Sequence, residues 1–363
     1  MLRPSSLILP PLGFLYGAAM QTRLALYRRG LLTIHQLDAP VISVGNITVG
    51  GTGKTPLVEW LARKLASEGR RVCILTRGYG RAGASRRVVV SDGKTVLANA
   101  REGGDEPRML AEMLLDSSVA VVSDANRVAA ARWSSTNLGS DAFILDDGFQ
   151  HLRIVRNLDI VTLDATNPWG GAHLLPHGRL RESLEQLARA DLIIITRADL
   201  AHDIDALRGE AQRLSDGRAA ILTSRLKTLR LRRLDSQTTR RNEQSQLNEQ
   251  ESATNAQESP TTIFMAFCAV GNPGGFFAHL RRDGYVLSHT RSFSDHHAYR
   301  QVDVDALARE AAAHEAQAFL TTAKDAVKLG SLSFALPCYV VDVGLVFDDE
   351  EMLLAHVRRA IAR

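Results

Sequence analysis

The chain has 363 residues, 45% of them hydrophobic and 23% charged, which argues against a disordered or low-complexity protein and leaves room for one large or two medium domains. A net charge of +4 with only 6% aromatic residues gives no support to nucleic-acid binding and suits anionic small molecules or an anionic membrane surface. Cys73, Cys268 and Cys338 are scattered, lie mostly inside apolar runs and lack metal spacing, so they read as small core residues in a reducing compartment.

Residues 7–20 are apolar, but the run is shorter than the ~20 residues a membrane span requires, Pro10 and Pro11 interrupt it, and Arg23, Arg28 and Arg29 follow. A signal peptide fits the run no better than a span does. Pro11 near the first turn and Gly30 just past the end frame a helix whose apolar body and basic tail suit the bilayer interface. The alternative is a helix packed on the domain's own core.

Residues 41–55 read as a buried strand running into a glycine-rich loop that closes on Lys-Thr. In such a loop Thr48, Val49, Gly50, Gly51, Thr52 and Gly53 turn backbone N–H groups onto phosphate oxygens. Lys54 reaches the β- and γ-phosphates, Thr55 offers a hydroxyl to Mg²⁺, and the helix near Pro56 points its positive end at the anion. The pattern G-x-x-x-x-G-K-[ST] would place glycine at position 48, where this chain has Thr48.

Short apolar runs at 72–76, 119–122, 142–145, 160–163 and 192–196 alternate with helical patterns, the rhythm of an α/β fold with a largely parallel sheet between helices. Residues 88–91 before Asp92-Gly93 suggest a local hairpin. The polar run 235–260 cannot bury enough apolar surface to offset its ordering entropy and reads as a disordered insertion. Beyond it, 262–270, 318–322 and 337–343 look like further strands. The expected layout is an N-terminal helix over 1–33, a P-loop lobe over 34–234, the insertion, and a smaller α/β lobe over 261–363.

Loops after strands face the ligand crevice of an open α/β sheet. Residues 142–146 end in Asp146-Asp147, where a P-loop protein keeps its metal carboxylate, and paired like charges favour Mg²⁺ there. Gly104-Asp105-Glu106-Pro107 is a second acidic site, in which either carboxylate could instead cap the following helix. Asp295-His296-His297 with aromatic neighbours could supply or position a proton acceptor. Arg77, Tyr79 and Arg81 in one loop, Arg127 in another and Arg181 in a third are candidates for holding substrate or nucleotide phosphate, or are solvated surface residues. Thr196-Arg197-Ala198-Asp199 has the layout of a guanine-reading [NT]-K-x-D element without its lysine, and Asp199 reads more simply as a helix cap.

Taken in order, G-N-I-T-V-G-G-T-G-K-T-P, R-G-Y-G-R, G-D-E-P, D-A-N-R, I-L-D-D-G-F-Q-H, L-P-H-G-R-L-R-E, F-S-D-H-H-A-Y and T-T-A-K-D-A-V-K-L resemble the tetraacyldisaccharide 4'-kinase family of lipid A biosynthesis in Gram-negative bacteria. Thr48 fits that resemblance; the polar insertion lies outside it. The resemblance implies transfer of the ATP γ-phosphoryl group to the 4'-hydroxyl of an acylated glucosamine disaccharide 1-phosphate, with ATP and Mg²⁺ required. It implies Asp105 as the base, His296 relaying or tuning its proton, and Asp146, Asp147 and Thr55 holding the metal. It also implies a peripheral enzyme on the cytoplasmic face of the inner membrane, attached through the N-terminal helix, with no obligate protein partner. The competing class is a membrane-recruited regulatory P-loop ATPase or GTPase, but Val49 stands where the signature lysine of the dimerising ATPases would be.

Overall fold

The computed structural model describes residues 5–79, 81, 83, 86–234, 262–295 and 297–362, with side chains from residue 11 onward. The segment 235–260, expected to be a disordered insertion, and His296 lie outside the described residues.

Two compact units emerge, one formed by Met1–Arg225 with Leu345–Arg363 and the other by Leu226–Gly344. The expected boundary at 234/261 therefore differs on both sides. A strand runs across residue 225, and the segment after residue 344 returns to the first unit because its apolar side chains complete that unit's core.

The first unit begins with α1 (Ser5–Arg28), then β1 (Val41–Gly45), α2 (Lys54–Ser67), β2 (Val72–Thr76) and β3 (Val88–Asp92). It continues with α3 (Ala100–Gly103), α4 (Asp105–Met113), β4 (Ala120–Ser123), α5 (Arg127–Leu138), β5 (Ala142–Asp146) and β6 (Leu158–Asp164). β7 (Leu192–Thr196), α6 (Ile204–Leu214) and the start of β8 (Ala220–Arg233) follow. The strands lie in the order β8-β7-β6-β1-β5-β2-β4-β3, parallel except for β3. β1, β2, β5, β6 and β7 are buried along their whole length, as continuous apolar runs between two helical layers require. The expected hairpin after Asp92 shrinks to one isolated bridge, Ser91 with Val96, because β3 pairs antiparallel with β4 instead.

In the second unit β9 (Ile263–Cys268), α7 (Pro273–Arg282), β10 (Val286–Ser292), α8 (Gln301–Ala313), β11 (Ala318–Thr322), α9 (Ala323–Leu329) and β12 (Cys338–Phe347) follow in turn. β10, β9, β11 and β12 are neighbours in that order, all parallel. After β12, α10 (Glu350–Ile361) lays Leu353, Val357 and Ala360 into the core that Ile42, Leu57 and Leu61 begin. Trp60 meets Phe347 edge-on at 4.9 Å in the same core.

α1 starts at Ser5, so Pro10 and Pro11 lie inside the helix rather than at its first turn. Gly30 closes it in the left-handed conformation, φ 70°, as its place in the sequence predicts. No helix among the described residues is long and apolar enough to cross a membrane. One face of α1 is buried through Gly13, Gly17, Leu24 and Tyr27, while Phe14 and Leu15 on the other are 78% and 63% exposed.

Candidate active site

The register of the sheet places the two acidic and phosphate-binding elements side by side. β1 runs parallel to β5 with Val44 opposite Asp146, so the phosphate loop leaves the sheet beside the Asp146-Asp147 corner. Gly45 is required there, since a Cβ on it would stand 2.5 Å from Phe149 Cβ. Gly53, at φ 79°, sits immediately before α2 and packs against Thr196.

The loop is held from three sides. Thr196 Oγ1 donates to the Thr52 carbonyl at 3.0 Å, and Arg197 Nη1 donates to the Gly51 carbonyl at 3.0 Å while pairing with Asp164 at 2.7 Å. The residues that resembled a guanine-reading element thus brace the phosphate loop. From another side Val49 N donates to the Arg179 carbonyl at 2.8 Å, Arg179 Nε donates to the Val49 carbonyl at 3.0 Å, and Arg181 N donates to the Ile47 carbonyl at 2.7 Å. Beneath it Gln150 Nε2 donates to the Asn46 carbonyl at 2.9 Å. Thr52 Oγ1 is 2.8 Å from Thr162 Oγ1 and accepts from Asn46 Nδ2 at 3.0 Å.

Cations converge on Asp147. Lys54 Nζ lies 3.4 Å from Oδ1, Arg181 Nη1 lies 2.6 Å from Oδ2, and the buried Arg127 donates to the Asp147 carbonyl at 3.2 Å. Burial works to raise the Asp147 carboxyl, but Lys54, Arg181 and Arg127 overcome it and hold the group below the usual carboxylate range. Asp146 is the opposite case. Burial first, then the negative charges of Glu106 and Asp147, push its carboxyl up to about 7 against the pull of Lys54 and Arg127. Two adjacent aspartates are thereby driven apart in proton affinity, a pattern that marks functional sites.

Burial lowers the Arg127 pKa and Arg77 adds to that effect, while Asp147 and Asp146 oppose it. Asn126 caps α5 by accepting from Ala129 N at 3.2 Å, which fixes Arg127 at the first helical position. Arg77 and Tyr79 are exposed after β2, whereas Arg81 is buried and donates to the Ser123 carbonyl at 3.0 Å. Gly78 and Gly104 pack together, a Cβ on Gly104 falling 3.2 Å from Gly78 Cα. Gly104 takes the cap position of α4 without a side-chain hydrogen bond, leaving Asp105 and Glu106 in the first turn, where the helix dipole favours carboxylates.

The sequence offered Glu106 only as part of an acidic site or as a helix cap, whereas its charge acts on Asp146; it gave no role to His151, whose ring burial and four arginines, Arg127, Arg153, Arg156 and Arg23, hold at about 3 and therefore neutral.

In the second unit Asp325 of T-T-A-K-D is fully buried and accepts from Tyr299 Oη at 3.1 Å, Thr322 Oγ1 at 2.7 Å and Ala269 N at 3.1 Å. Lys324 pairs with Asp295 at 3.0 Å, and His297 lies 3.2 Å from Asp303. This motif therefore anchors residues on either side of His296.

No group of three or more metal-ligating His, Cys, Asp or Glu side chains occurs among the described residues. The donors that fit Mg²⁺ are fewer: Asp146, whose buried carboxyl a cation would help to ionise, and the Thr55 hydroxyl in the first turn of α2.

The model of the family described as LpxK, tetraacyldisaccharide-1-P 4'-kinase, matches residues 5–362. The chain belongs to the tetraacyldisaccharide 4'-kinase family. A tetraacyldisaccharide 4'-kinase of Syntrophotalea carbinolica is 38% identical over 93% of this chain and 87% of its own length, and one from Anaeromyxobacter dehalogenans is 42% identical over 86% and 79%. A crystal structure of LpxK from Aquifex aeolicus in complex with ATP superposes with a TM-score of 0.73 at 28% identity, covering 99% of this chain and all of that one. The LpxK-family match runs through both units and includes α1, so the whole arrangement, not the phosphate loop alone, carries the resemblance seen in the sequence.

Proposed function

We propose that this family member transfers the γ-phosphoryl group of ATP to the 4'-hydroxyl of a tetraacylated glucosamine disaccharide 1-phosphate, giving the 1,4'-bisphosphate. The observation that carries the reading is the convergence of Lys54, Arg127 and Arg181 on Asp147 beside the phosphate loop, together with the family match. Phosphoryl transfer depends chiefly on positioning and charge neutralisation, and three cations at the loop supply both.

The loop N–H groups and the start of α2 hold the triphosphate, with Lys54 exchanging Asp147 for the β- and γ-phosphates. Asp146 and Thr55 would hold Mg²⁺, which would supply positive charge against the phosphates. Asp105 orients the acceptor hydroxyl and takes its proton as the oxygen bonds to the γ-phosphorus and the bond to the β-phosphate oxygen breaks, releasing ADP. The family resemblance gives His296 the role of tuning or relaying that proton. Arg77, Tyr79, Arg127 and Arg181 contact substrate or nucleotide phosphate; Arg81, tied to the Ser123 carbonyl, shapes the loop that carries Arg77 and Tyr79. The exposed apolar face of α1, with Arg28 and Arg29 beyond it, rests on the cytoplasmic surface of the inner membrane and receives the acyl chains.

The test is transfer from [γ-³²P]ATP to tetraacyldisaccharide 1-phosphate in detergent micelles, comparing wild type with Asp105→Ala and Lys54→Ala. Labelled lipid with wild type and almost none with either variant supports the assignment. ATP hydrolysis without labelled lipid would sink it.

A further inference from the structure

The inner face of α1 does more than cover the protein. Gly17 lets the helix approach so closely that a Cβ there would fall 2.6 Å from Leu174 Cδ1, and Gly13 lies against His177. Two polar side chains on the helix then reach backbone carbonyls far away in sequence. Tyr16 Oη donates to the Arg181 carbonyl at 3.0 Å, and Arg23 Nη2 donates to the Gln150 carbonyl at 3.2 Å.

Both acceptors belong to residues that hold the entrance of the phosphate loop. Arg181 donates its N–H to the Ile47 carbonyl at 2.7 Å and its guanidinium to Asp147, the carboxylate that also pairs with Lys54. Gln150 donates its amide to the Asn46 carbonyl at 2.9 Å. Asn46 and Ile47 are the first two residues after β1, so each hydrogen bond from α1 ends one residue away from the loop. The opposite face of the same helix exposes Leu12, Phe14 and Leu15.

We infer that Tyr16 and Arg23 are positioning residues that make nucleotide binding depend on how α1 is seated, so that a lipid surface engaging the outer face of α1 and ATP binding at the loop strengthen each other. The coupling is reciprocal: whatever factor the lipid contributes to nucleotide affinity, nucleotide contributes to lipid affinity. The inference rests on the kinase reading for its purpose, but its test reads binding and needs no phosphoryl transfer.

The experiment measures the dissociation constant of a non-hydrolysable ATP analogue with Mg²⁺, with and without vesicles of phosphatidylethanolamine and phosphatidylglycerol, for wild type, Tyr16→Phe, Arg23→Gln and Phe14→Ser. Vesicles should tighten nucleotide binding by wild type. Tyr16→Phe removes one hydroxyl and should weaken binding about three- to tenfold, the range for one lost hydrogen bond, and shrink the vesicle effect. Arg23→Gln should do the same. Phe14→Ser should lose the vesicle effect. Unchanged affinity in both Tyr16→Phe and Arg23→Gln, or an equal vesicle effect in every variant, would overturn the inference. A lipid-transfer assay that failed while the linkage persisted would count against the kinase reading alone.

Discussion

Lys54 Nζ stands 3.4 Å from Asp147 Oδ1, so the lysine that serves the phosphates is already paired with an anion that an incoming nucleotide must displace. Asp147→Asn removes that competitor while leaving Lys54, Arg127 and Arg181 without its charge. The variant should bind metal-free ATP more tightly than wild type, yet turn over about tenfold or more slowly because the cations lose their alignment. Equilibrium binding and kcat on the same preparations test this; weaker binding of metal-free ATP would refute the competition.

Asp105→Asn preserves the shape of the first turn of α4 and removes the proton acceptor. Its kcat should fall by about 10²- to 10⁴-fold, with KM for ATP changing little. Lys54→Met should instead damage both parameters. Steady-state kinetics with each substrate varied separates the two, and an Asp105→Asn enzyme with normal kcat would remove Asp105 from the reaction.

The Asp146 carboxyl, raised to about 7 in the folded protein, sets a stability trend of known sign. A folded-state value above the ordinary ~3.9 means the native chain binds the extra proton between those values, so the contribution is complete at low pH and is lost as pH rises toward about 7. In metal-free buffer, wild type should lose stability relative to Asp146→Asn across that window. Added Mg²⁺ should raise the wild-type melting temperature more at about pH 8 than at about pH 6, since the ion binds the ionised form. Parallel melting curves for the two proteins at all pH values would show that Asp146 does not titrate there.

Phe14 and Leu15 present apolar surface that the rest of the described chain does not cover. Burying such a side chain is worth about 1.5–3 kcal/mol, so the double change Phe14→Ser, Leu15→Ser should lower partitioning onto phospholipid vesicles by about tenfold or more. Flotation assays measure it. Unaltered flotation would place membrane attachment elsewhere.

Local signals carried the first unit's sheet well. Buried strands such as Leu192–Thr196 are short runs rich in β-branched residues, and the glycines, Lys54 and the paired aspartates announce a phosphate site by type and spacing. β8 escaped because Arg225, Lys227, Arg230 and Arg232 interrupt its apolar residues along a strand that is only partly buried, which leaves no continuous run to see. The role of Thr196 and Arg197 escaped for a different reason: their partners Thr52 and Gly51 lie about 145 residues away, and no periodicity encodes a contact of that range. Pro10 and Pro11 misplaced the start of α1, since proline favours a first turn and only the surrounding structure decides otherwise.

The return of the segment after residue 344 has a consequence for biogenesis. Leu353, Val357 and Ala360 close a core opened by Ile42 and Leu57, with the whole second unit lying between them along the chain. During synthesis the nucleotide-binding half must wait, incompletely sealed, until the intervening half and β12 have emerged. Its exposed apolar seam is then a natural client for chaperones, and a ribosome stalled near residue 344 would release a polypeptide with every catalytic group present and no closed core to hold them.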